Sequence, residues 1–122
     1  MVARVPLFAR LDAASIADLV GMLKARTVPA GTTIIRKGER GNAMYLIASG
    51  GVDVESAAGT VRLGEGDFFG EMALLSREPR SATVTALRAT DLLVLDADDF
   101  LRLVDRLPDL GARVRAVARE RT

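Results

Sequence analysis

Residues 63–84 read LGEGDFFGEMALLSREPRSATV, and this stretch decides how the rest of the chain is interpreted. Its glycines, Gly64, Gly66 and Gly70, lead into a short apolar run at 71–75 that predicts about one helical turn. The start of a helix presents unpaired backbone N–H groups and the positive end of the helix dipole, which together favour an anion. Because Gly70 has no side chain, a ligand can approach the backbone closely at that point.

The polar residues of this stretch predict partners for a phosphorylated sugar. Arg80 follows Pro79, and its guanidinium can bind a phosphate through paired, charge-assisted hydrogen bonds. Ser81 adds a hydroxyl group and a backbone N–H. Glu71 can only accept hydrogen bonds when ionised, which suits a sugar hydroxyl and not a phosphate. A competing interpretation is that Glu71 and Arg80 pair with each other at the surface.

Short β-prone runs separated by glycine turns surround this stretch between Thr27 and Asp96. Gly38 and Gly41 mark one of these turns and are predicted to have a structural role. The predicted strands cover residues 32–35, 43–48, 52–55, 60–63, 83–87 and 92–95. Many short strands at close spacing predict an antiparallel sandwich or barrel.

Helical patterns flank the strands on both sides. Asp12 and Asp96 are predicted N-caps, and Pro108 suits the first turn of a last helix. The predicted apolar positions of the three helices are Ile16, Leu19, Val20 and Leu23; Phe100, Leu101 and Val104; and Leu107, Leu110, Val114 and Val117. The segment Val5–Phe8 is a separate short apolar stretch.

The predicted fold is therefore α+β in a single domain, residues 1–122. It is an antiparallel β-roll of the double-stranded β-helix or jelly-roll type, with an N-terminal helix and two C-terminal helices. The predicted bounds are 1–26 for the N-terminal helical segment, 27–96 for the β-roll and 97–122 for the C-terminal helices.

The composition excludes several classes of function. The 122 residues contain no histidine and no cysteine, which removes disulfides, thiolate nucleophiles, imidazole bases and the usual zinc, copper and haem ligands. We therefore expect no metal, and no enzyme of the cupin or phosphodiesterase kind. A formal net charge of +1 gives no strong attraction to nucleic acid. No apolar run approaches the roughly 20 residues that span a bilayer, and no signal peptide is visible, so we expect an intracellular location.

The runs Phe69–Leu75 and Pro79–Val84 resemble the phosphate-binding cassette of the cyclic nucleotide-binding domain family, which places the cassette at residues 69–84. The order of helix, glycine-punctuated roll and two helices is similar to that family along nearly the whole chain. The resemblance is strongest to the binding domains of bacterial nucleotide-gated potassium channels. Similar domains occur at the C-termini of bacterial cation–proton antiporters.

The resemblance implies roles for individual cassette residues. Arg80 would pair with the exocyclic oxygens of the cyclic phosphate, and Ser81 would support that phosphate with its hydroxyl and amide. Glu71 would accept a hydrogen bond from the ribose 2′-OH. The Gly70 amide would lie against the ribose, and the Ala73 amide would point at the phosphate.

Three further ligand-binding positions follow from the same resemblance. Val61 and Leu63, on the strand before the cassette, would line the pocket for the base. Met72 belongs to the short helix of the cassette and is expected at the ligand.

The last helix resembles the lid of related channel domains. Arg121 lies four residues after Val117 on the same helical face, and its flat guanidinium would stack on the purine. The alternative is that Arg121 is solvated, because cations are favoured near a helix C-terminus in any case. Gly111 lowers the intrinsic stability of this helix by about 1 kcal/mol, which would suit a moving part.

These expectations describe a regulatory module that binds cyclic nucleotide. Serine at position 81 and an apolar base pocket favour cAMP, with cGMP as the second ligand.

Movement of the C-terminal helix would gate a potassium channel or related transporter in a longer parent chain, through which the domain could form a homo-oligomer. The domain would then be the cytoplasmic part of an inner-membrane protein. The alternative is a stand-alone or transcription-regulator-type sensor, although the sequence stops at Thr122 without residues for a helix-turn-helix.

Overall fold

A computed structural model describes residues 12–71, 74 and 79–121, with side chains of the last helix described up to residue 116. The predicted apolar segment Val5–Phe8 lies outside the described residues. The described elements are α1 (Ala13–Met22), β1 (Lys24–Val28), β2 (Thr33–Ile35), β3 (Ala43–Ser49), β4 (Gly51–Ser56), β5 (Gly59–Gly64), β6 (Phe68–Phe69), β7 (Ala82–Ala86), β8 (Thr90–Asp96), α2 (Ala97–Arg106) and α3 (Pro108–Arg121).

The described strands form two four-stranded sheets, with strand orders β1-β8-β3-β6 and β2-β7-β4-β5. Every described pairing is antiparallel. The two sheets face each other, and the three described helices cover the outer face of the first sheet. The predicted antiparallel roll with an N-terminal helix and two C-terminal helices is confirmed.

The central strand β3 is buried on both faces and separates two hydrophobic clusters. Because successive side chains of a strand point to opposite faces, Met44 and Leu46 face the helices while Tyr45 and Ile47 face the interior of the roll. The helix-side cluster contains Leu19, Met44, Leu46, Phe68, Leu74, Leu95, Phe100, Leu103, Leu110 and Val114. The roll-side cluster contains Val28, Ile35, Ala43, Tyr45, Ile47, Val52, Leu63, Phe69, Val84, Ala86 and Leu92.

Two strands were not predicted from the sequence. β1 begins at Lys24, inside the segment assigned to the N-terminal helix, so the predicted boundary at residue 26 is wrong. Most of β1 is exposed, and it is held by pairing with β8, whose residues lie 62 to 70 positions later, so it has no alternating apolar pattern of its own. β6 consists of two residues and forms only by pairing with β3.

The helix caps show one confirmed prediction and one error. The side chain of Asp12 accepts a hydrogen bond from the backbone N–H of Ser15 at 2.8 Å, as expected for an N-cap. Asp96 occupies the N-cap position of α2, but its side chain makes no capping hydrogen bond. Its carboxylate instead accepts a hydrogen bond from Lys24 Nζ at 2.7 Å and so ties β1 to the end of β8.

Of the ten predicted apolar helix positions whose side chains are described, four are buried, four are half-buried and two are exposed. Leu110 and Val114 of α3 are each 2% exposed, in agreement with the predicted face. Val20 in α1 and Leu101 in α2 are 51% and 39% exposed, so these two predicted apolar positions lie outside the core. Each directly follows a fully buried residue of its helix, Leu19 or Phe100. The buried face of each helix is therefore narrower than its row of apolar residues. The side chain of Val117 lies outside the described residues.

Gly111 brings α2 and α3 into close contact. A Cβ atom added at Gly111 would lie 2.6 Å from Cγ1 of Val104 on α2, which is closer than real Cβ contacts allow. The glycine that weakens α3 as an isolated helix therefore has a packing function. It permits α3 to lie directly against the Val104 side chain.

We expect Gly111→Ala to destabilise the domain by about 1–3 kcal/mol through overpacking, in spite of the helix propensity that alanine adds. The free energy of unfolding in urea measures this effect. Gly21→Ala is the matched control, because Gly21 lies in α1 and an added Cβ there meets nothing within 4 Å. Adding Val104→Ala should restore much of the lost stability. A Gly111→Ala protein as stable as Gly21→Ala would contradict the close contact.

Candidate nucleotide-binding site

The backbone of Arg80 is held by the glycine turn between β2 and β3. The N–H of Arg80 donates to the carbonyl of Glu39 at 2.7 Å, and the N–H of Gly38 donates to the carbonyl of Arg80 at 2.8 Å. Gly38 has a φ of +91°, a backbone conformation that favours glycine. The turn predicted to be structural therefore also fixes the backbone of the residue predicted to bind phosphate.

The guanidinium of Arg80 points into the interior of the roll. The residue is 7% exposed, and its Nη2 donates to the carbonyl of Ala43 on β3 at 2.7 Å. Its Nη1 donates to the carbonyl of Gly70. These two bonds fix the plane of the guanidinium between β3 and the end of β6. A guanidinium carries five N–H donors, so within the described part of the chain three are left for another acceptor.

The site brings two opposite charges into a buried environment. Glu71 is 3% exposed, so both it and Arg80 lie in the interior. Burial lowers the pKa of Arg80, while Tyr45 and Glu71 act in the opposite direction and raise it. The guanidinium stays charged at any physiological pH. The interpretation of Glu71 and Arg80 as a surface ion pair is wrong, because neither side chain is at the surface.

Gly70 is required by its conformation and by its surroundings. Its φ is +89°, in the left-handed region. A Cβ added there would lie 2.9 Å from Nη1 of Arg80 and 3.2 Å from the carbonyl oxygen of Ala43. Glycine therefore allows the guanidinium of Arg80 to lie directly against the backbone of residue 70.

An apolar row crosses the second sheet from the Arg80 corner to the predicted base pocket. Ile35 pairs with Val84, Val84 with Val54, and Val54 with Val61. Ile35 begins the row beside Gly70, since its Cδ1 atom would lie 3.3 Å from a Cβ added at Gly70. Ile35 and Val84 are 5% and 2% exposed, Val54 is half-buried, and Val61 at the end of the row is 45% exposed. The row therefore connects the charged corner to an apolar rim that is open to a ligand.

The sequence matches the family model described as cyclic nucleotide-binding domain over residues 25–107, which is more than half of the chain. The chain belongs to this family. The resemblance noted in the sequence is thereby confirmed, and with it the fold class.

Relatives of this cyclic nucleotide-binding domain include bacterial potassium channels and a cyclic AMP receptor protein. The chain is 47% identical over 121 residues to cyclic nucleotide-gated potassium channels of Rhizobium etli and of Mesorhizobium japonicum, covering 99% of this chain and 34% of each relative. It is 36% identical to the cyclic AMP receptor protein of Thermus thermophilus, covering 95% of this chain and 56% of that protein. The chain thus spans about a third of the length of these channel relatives.

Solved structures show the same domain. The catabolite activator protein of Thermus thermophilus matches with a TM-score of 0.83 and 36% identity, over 95% of this chain and 57% of that chain. The regulatory domain of Toxoplasma gondii PKA, in a co-crystal structure with cAMP, matches with a TM-score of 0.85 and 27% identity, over 94% of this chain and 47% of that chain.

The domain brings together most of the residues that the sequence predicted for the site. Arg80, Glu71 and Gly70 meet at one corner, and Ser81 follows Arg80 with its side chain exposed. Leu63 is 9% exposed and faces the roll interior, and Val61 extends the same face of β5 to the rim. Met72, Ala73 and the side chain of Arg121 lie outside the described residues, so their roles stay predictions.

One aromatic pair at the site was not predicted from the sequence. The rings of Tyr45 and Phe69 stack with centroids 5.1 Å apart and an interplanar angle of 13°. Phe69 immediately precedes Gly70, and Tyr45 lies two residues after Ala43, so the pair borders both carbonyls that bind Arg80. The cross-strand register of β3 and β6 creates this pair, and neither run of sequence indicates that register by itself.

The described residues were also compared with the requirements of a metal site and of a membrane-spanning helix. No group of three or more aspartate, glutamate, histidine or cysteine side chains among them could hold a metal ion. Over the same residues, no helix combines the length and the apolar character that crossing a bilayer requires.

Proposed function

We propose that this domain binds a purine cyclic monophosphate, with its phosphate at Arg80, its ribose at Glu71 and its base along Val61 and Leu63. The observation that carries the proposal is the buried guanidinium of Arg80, held by two backbone carbonyls at a corner next to the buried Glu71. Burying a charged group is unfavourable unless it is paired and hydrogen-bonded. Glu71 already stabilises this charge, and a phosphate anion at the corner would add direct, charge-assisted hydrogen bonds to the guanidinium.

The phosphate-binding group would combine Arg80 with Ser81 and the Ala73 amide. The guanidinium offers paired donors whose geometry suits two oxygens of one phosphate. Its orientation is fixed before ligand arrives, because β3 and Gly70 already hold two of its N–H groups. Preorganisation of this kind reduces the entropy lost on binding.

The sugar would lie against Gly70 and Glu71. An ionised carboxylate accepts hydrogen bonds and repels phosphate, so Glu71 discriminates between the two ends of the ligand. The absence of a side chain at Gly70 lets the ribose approach the backbone.

The base would lie on the apolar rim of β5, where Val61 is 45% exposed. The described side chains here, those of Val61 and Leu63, carry no polar group that could accept from the exocyclic amine of guanine, which supports a preference for cAMP, with cGMP as the weaker ligand. Two structural relatives carry cAMP-type ligands, one bound to Sp-2Cl-cAMPS and one to cAMP, which supports the same class of ligand for this chain.

The bound nucleotide would act through α3 on a larger protein. Arg121 at the end of α3 would stack on the purine, so that the position of the helix reports occupancy of the site. A ligand shifts such an equilibrium only by its differential affinity for the two helix positions. The identity of 47% to nucleotide-gated potassium channels supports gating of a potassium channel or related transporter, with this domain on the cytoplasmic side and a homo-oligomer formed through the parent protein.

A second candidate is a stand-alone or transcription-regulator-type sensor. The observation that favours it is the 36% identity to the cyclic AMP receptor protein, of which this chain covers a larger share than of the channels. A sensor of that kind would bind duplex DNA in a nucleotide-dependent manner through the rest of its chain, whereas a channel module would not. Neither candidate includes a catalytic step or a metal.

Calorimetric titration of the domain with cAMP, cGMP and 5′-AMP tests the proposal. We expect saturable heat with cAMP, weaker binding of cGMP, and loss of most affinity with 5′-AMP, whose phosphate carries an additional charge and is not held in a ring. Competition between cAMP and cGMP tests whether both occupy one site. Absence of any heat with either cyclic nucleotide at millimolar concentration would overturn the assignment.

A further inference from the structure

The two carbonyls that orient Arg80 belong to different strands. Ala43 opens β3, and Gly70 follows the end of β6. Nη2 of Arg80 binds the first carbonyl at 2.7 Å, and Nη1 binds the second. The guanidinium therefore bridges β3 and β6, and its orientation depends on the spacing between these two strands at this point.

Backbone pairing alone gives little control over that spacing. β6 has two residues, and its register with β3 consists of Tyr45 opposite Phe69 and Leu46 opposite Phe68. Two further backbone hydrogen bonds, from the N–H of Ile47 to the carbonyl of Asp67 and from the N–H of Gly66 to the carbonyl of Ile47, both 2.9 Å, lie at the end of β6 away from Gly70. Cross-strand side-chain pairs then contribute a large part of its stabilisation.

Tyr45 and Phe69 form the cross-strand pair on the side of the roll interior. Tyr45 is 7% exposed and Phe69 is 3% exposed, and their rings stack at 5.1 Å. Phe69 directly precedes Gly70, and Tyr45 lies two residues after Ala43 on the same face of β3. The influence of Tyr45 on the pKa of Arg80 is consistent with its closeness to the guanidinium.

We propose that Tyr45 is a positioning residue for nucleotide binding. By stacking on Phe69, it sets the distance between the carbonyls of Ala43 and Gly70 and thereby aims the guanidinium of Arg80 at the phosphate. The inference rests on the proposed function, since it concerns the geometry of the same site.

The test compares two substitutions at position 45 by calorimetric titration with cAMP. Tyr45→Leu removes the stacked ring and should weaken binding about tenfold, because an aromatic pair of this kind is worth about that factor. Tyr45→Phe retains the ring, so its affinity should stay within about threefold of the original protein. Rescue by phenylalanine would assign the effect to the ring and not to the hydroxyl.

The control separates positioning from a general loss of stability. Leu103 lies on α2, is 2% exposed and belongs to the helix-side cluster, so it takes no part in the pairing of β3 with β6. Leu103→Ala should lower the midpoint of thermal unfolding and leave the affinity of the folded protein unchanged, when measured well below that midpoint. Phe69→Leu removes the stack from the other side and should weaken binding as Tyr45→Leu does, so it decides the matter if Tyr45→Leu does not fold.

Tyrosine fluorescence provides a second measurement of binding. The chain has one tyrosine and no tryptophan, so its intrinsic emission comes from Tyr45. We expect that emission to change with cAMP and to saturate at the affinity measured by calorimetry. If the unsubstituted protein binds neither cyclic nucleotide, the proposed function fails. If the unsubstituted protein binds and either Tyr45→Leu or Phe69→Leu binds equally well, the role of the stack is overturned. The same conclusion follows if Tyr45→Phe binds as weakly as Tyr45→Leu.

Discussion

Replacing Arg80 by alanine is expected to weaken cyclic nucleotide binding at least tenfold and to destabilise the fold as well. A charged hydrogen bond contributes about 1.5–3 kcal/mol, and a bidentate phosphate contact contains more than one. Leaving the phosphate buried without its partner costs roughly 2–5 kcal/mol. The side chain also binds the buried carbonyl of Ala43 and the half-buried carbonyl of Gly70, and both acceptors would lose this donor. We expect about 1–3 kcal/mol of lost stability from that second effect, which leaves most domains folded.

Calorimetric titration with cAMP and urea unfolding measure the two effects separately. Arg62→Ala is the matched control, because Arg62 is an exposed arginine paired with Asp53 at 3.2 Å on the outer side of β5. It should change neither affinity nor stability appreciably, as expected for a surface ion pair. An Arg80→Ala protein that retains its affinity for cAMP would exclude Arg80 as the phosphate ligand.

Replacing Gly70 by alanine is the second substitution with a large expected effect. Alanine at a φ of +89° is strained by about 1–2 kcal/mol. Its Cβ would also lie 2.9 Å from Nη1 of Arg80 and 3.2 Å from a backbone carbonyl. The guanidinium is the more mobile of these neighbours, so it would move away from its position. We therefore expect about a tenfold loss of affinity for cAMP in addition to the loss of stability.

Gly66 provides a control that separates the backbone strain of alanine at positive φ from the displacement of the Arg80 guanidinium. Its φ is +88°, and a Cβ added there meets nothing within 4 Å. Gly66→Ala should therefore lose a similar amount of stability and keep its affinity, as measured by the same titration and unfolding experiments. Equal affinities for Gly66→Ala and Gly70→Ala would show that the close approach of Arg80 to Gly70 does not matter for binding.

The sequence by itself determined the features that depend on local chemistry. The glycine turns, the Asp12 cap and the buried face of α3 are each encoded within a few residues, and the structure places them as predicted. Partners for a phosphorylated sugar were predicted in the same way, because Glu71, Arg80 and Ser81 differ in what they can donate and accept, whereas the cassette came from the family resemblance. The family followed from the order of these short patterns along the chain.

The tertiary structure decided what depends on residues far apart in sequence. β1 is a strand because it pairs with β8, and β6 exists because β3 lies beside it. The same pairing places Tyr45 on Phe69 and so creates a stack that neither segment indicates. The side chain of Asp96 does not cap α2 as predicted, but binds Lys24, which lies 72 residues earlier in the chain. A local pattern carries no information about which distant strand will be its neighbour, and that neighbour fixes both register and side-chain partners.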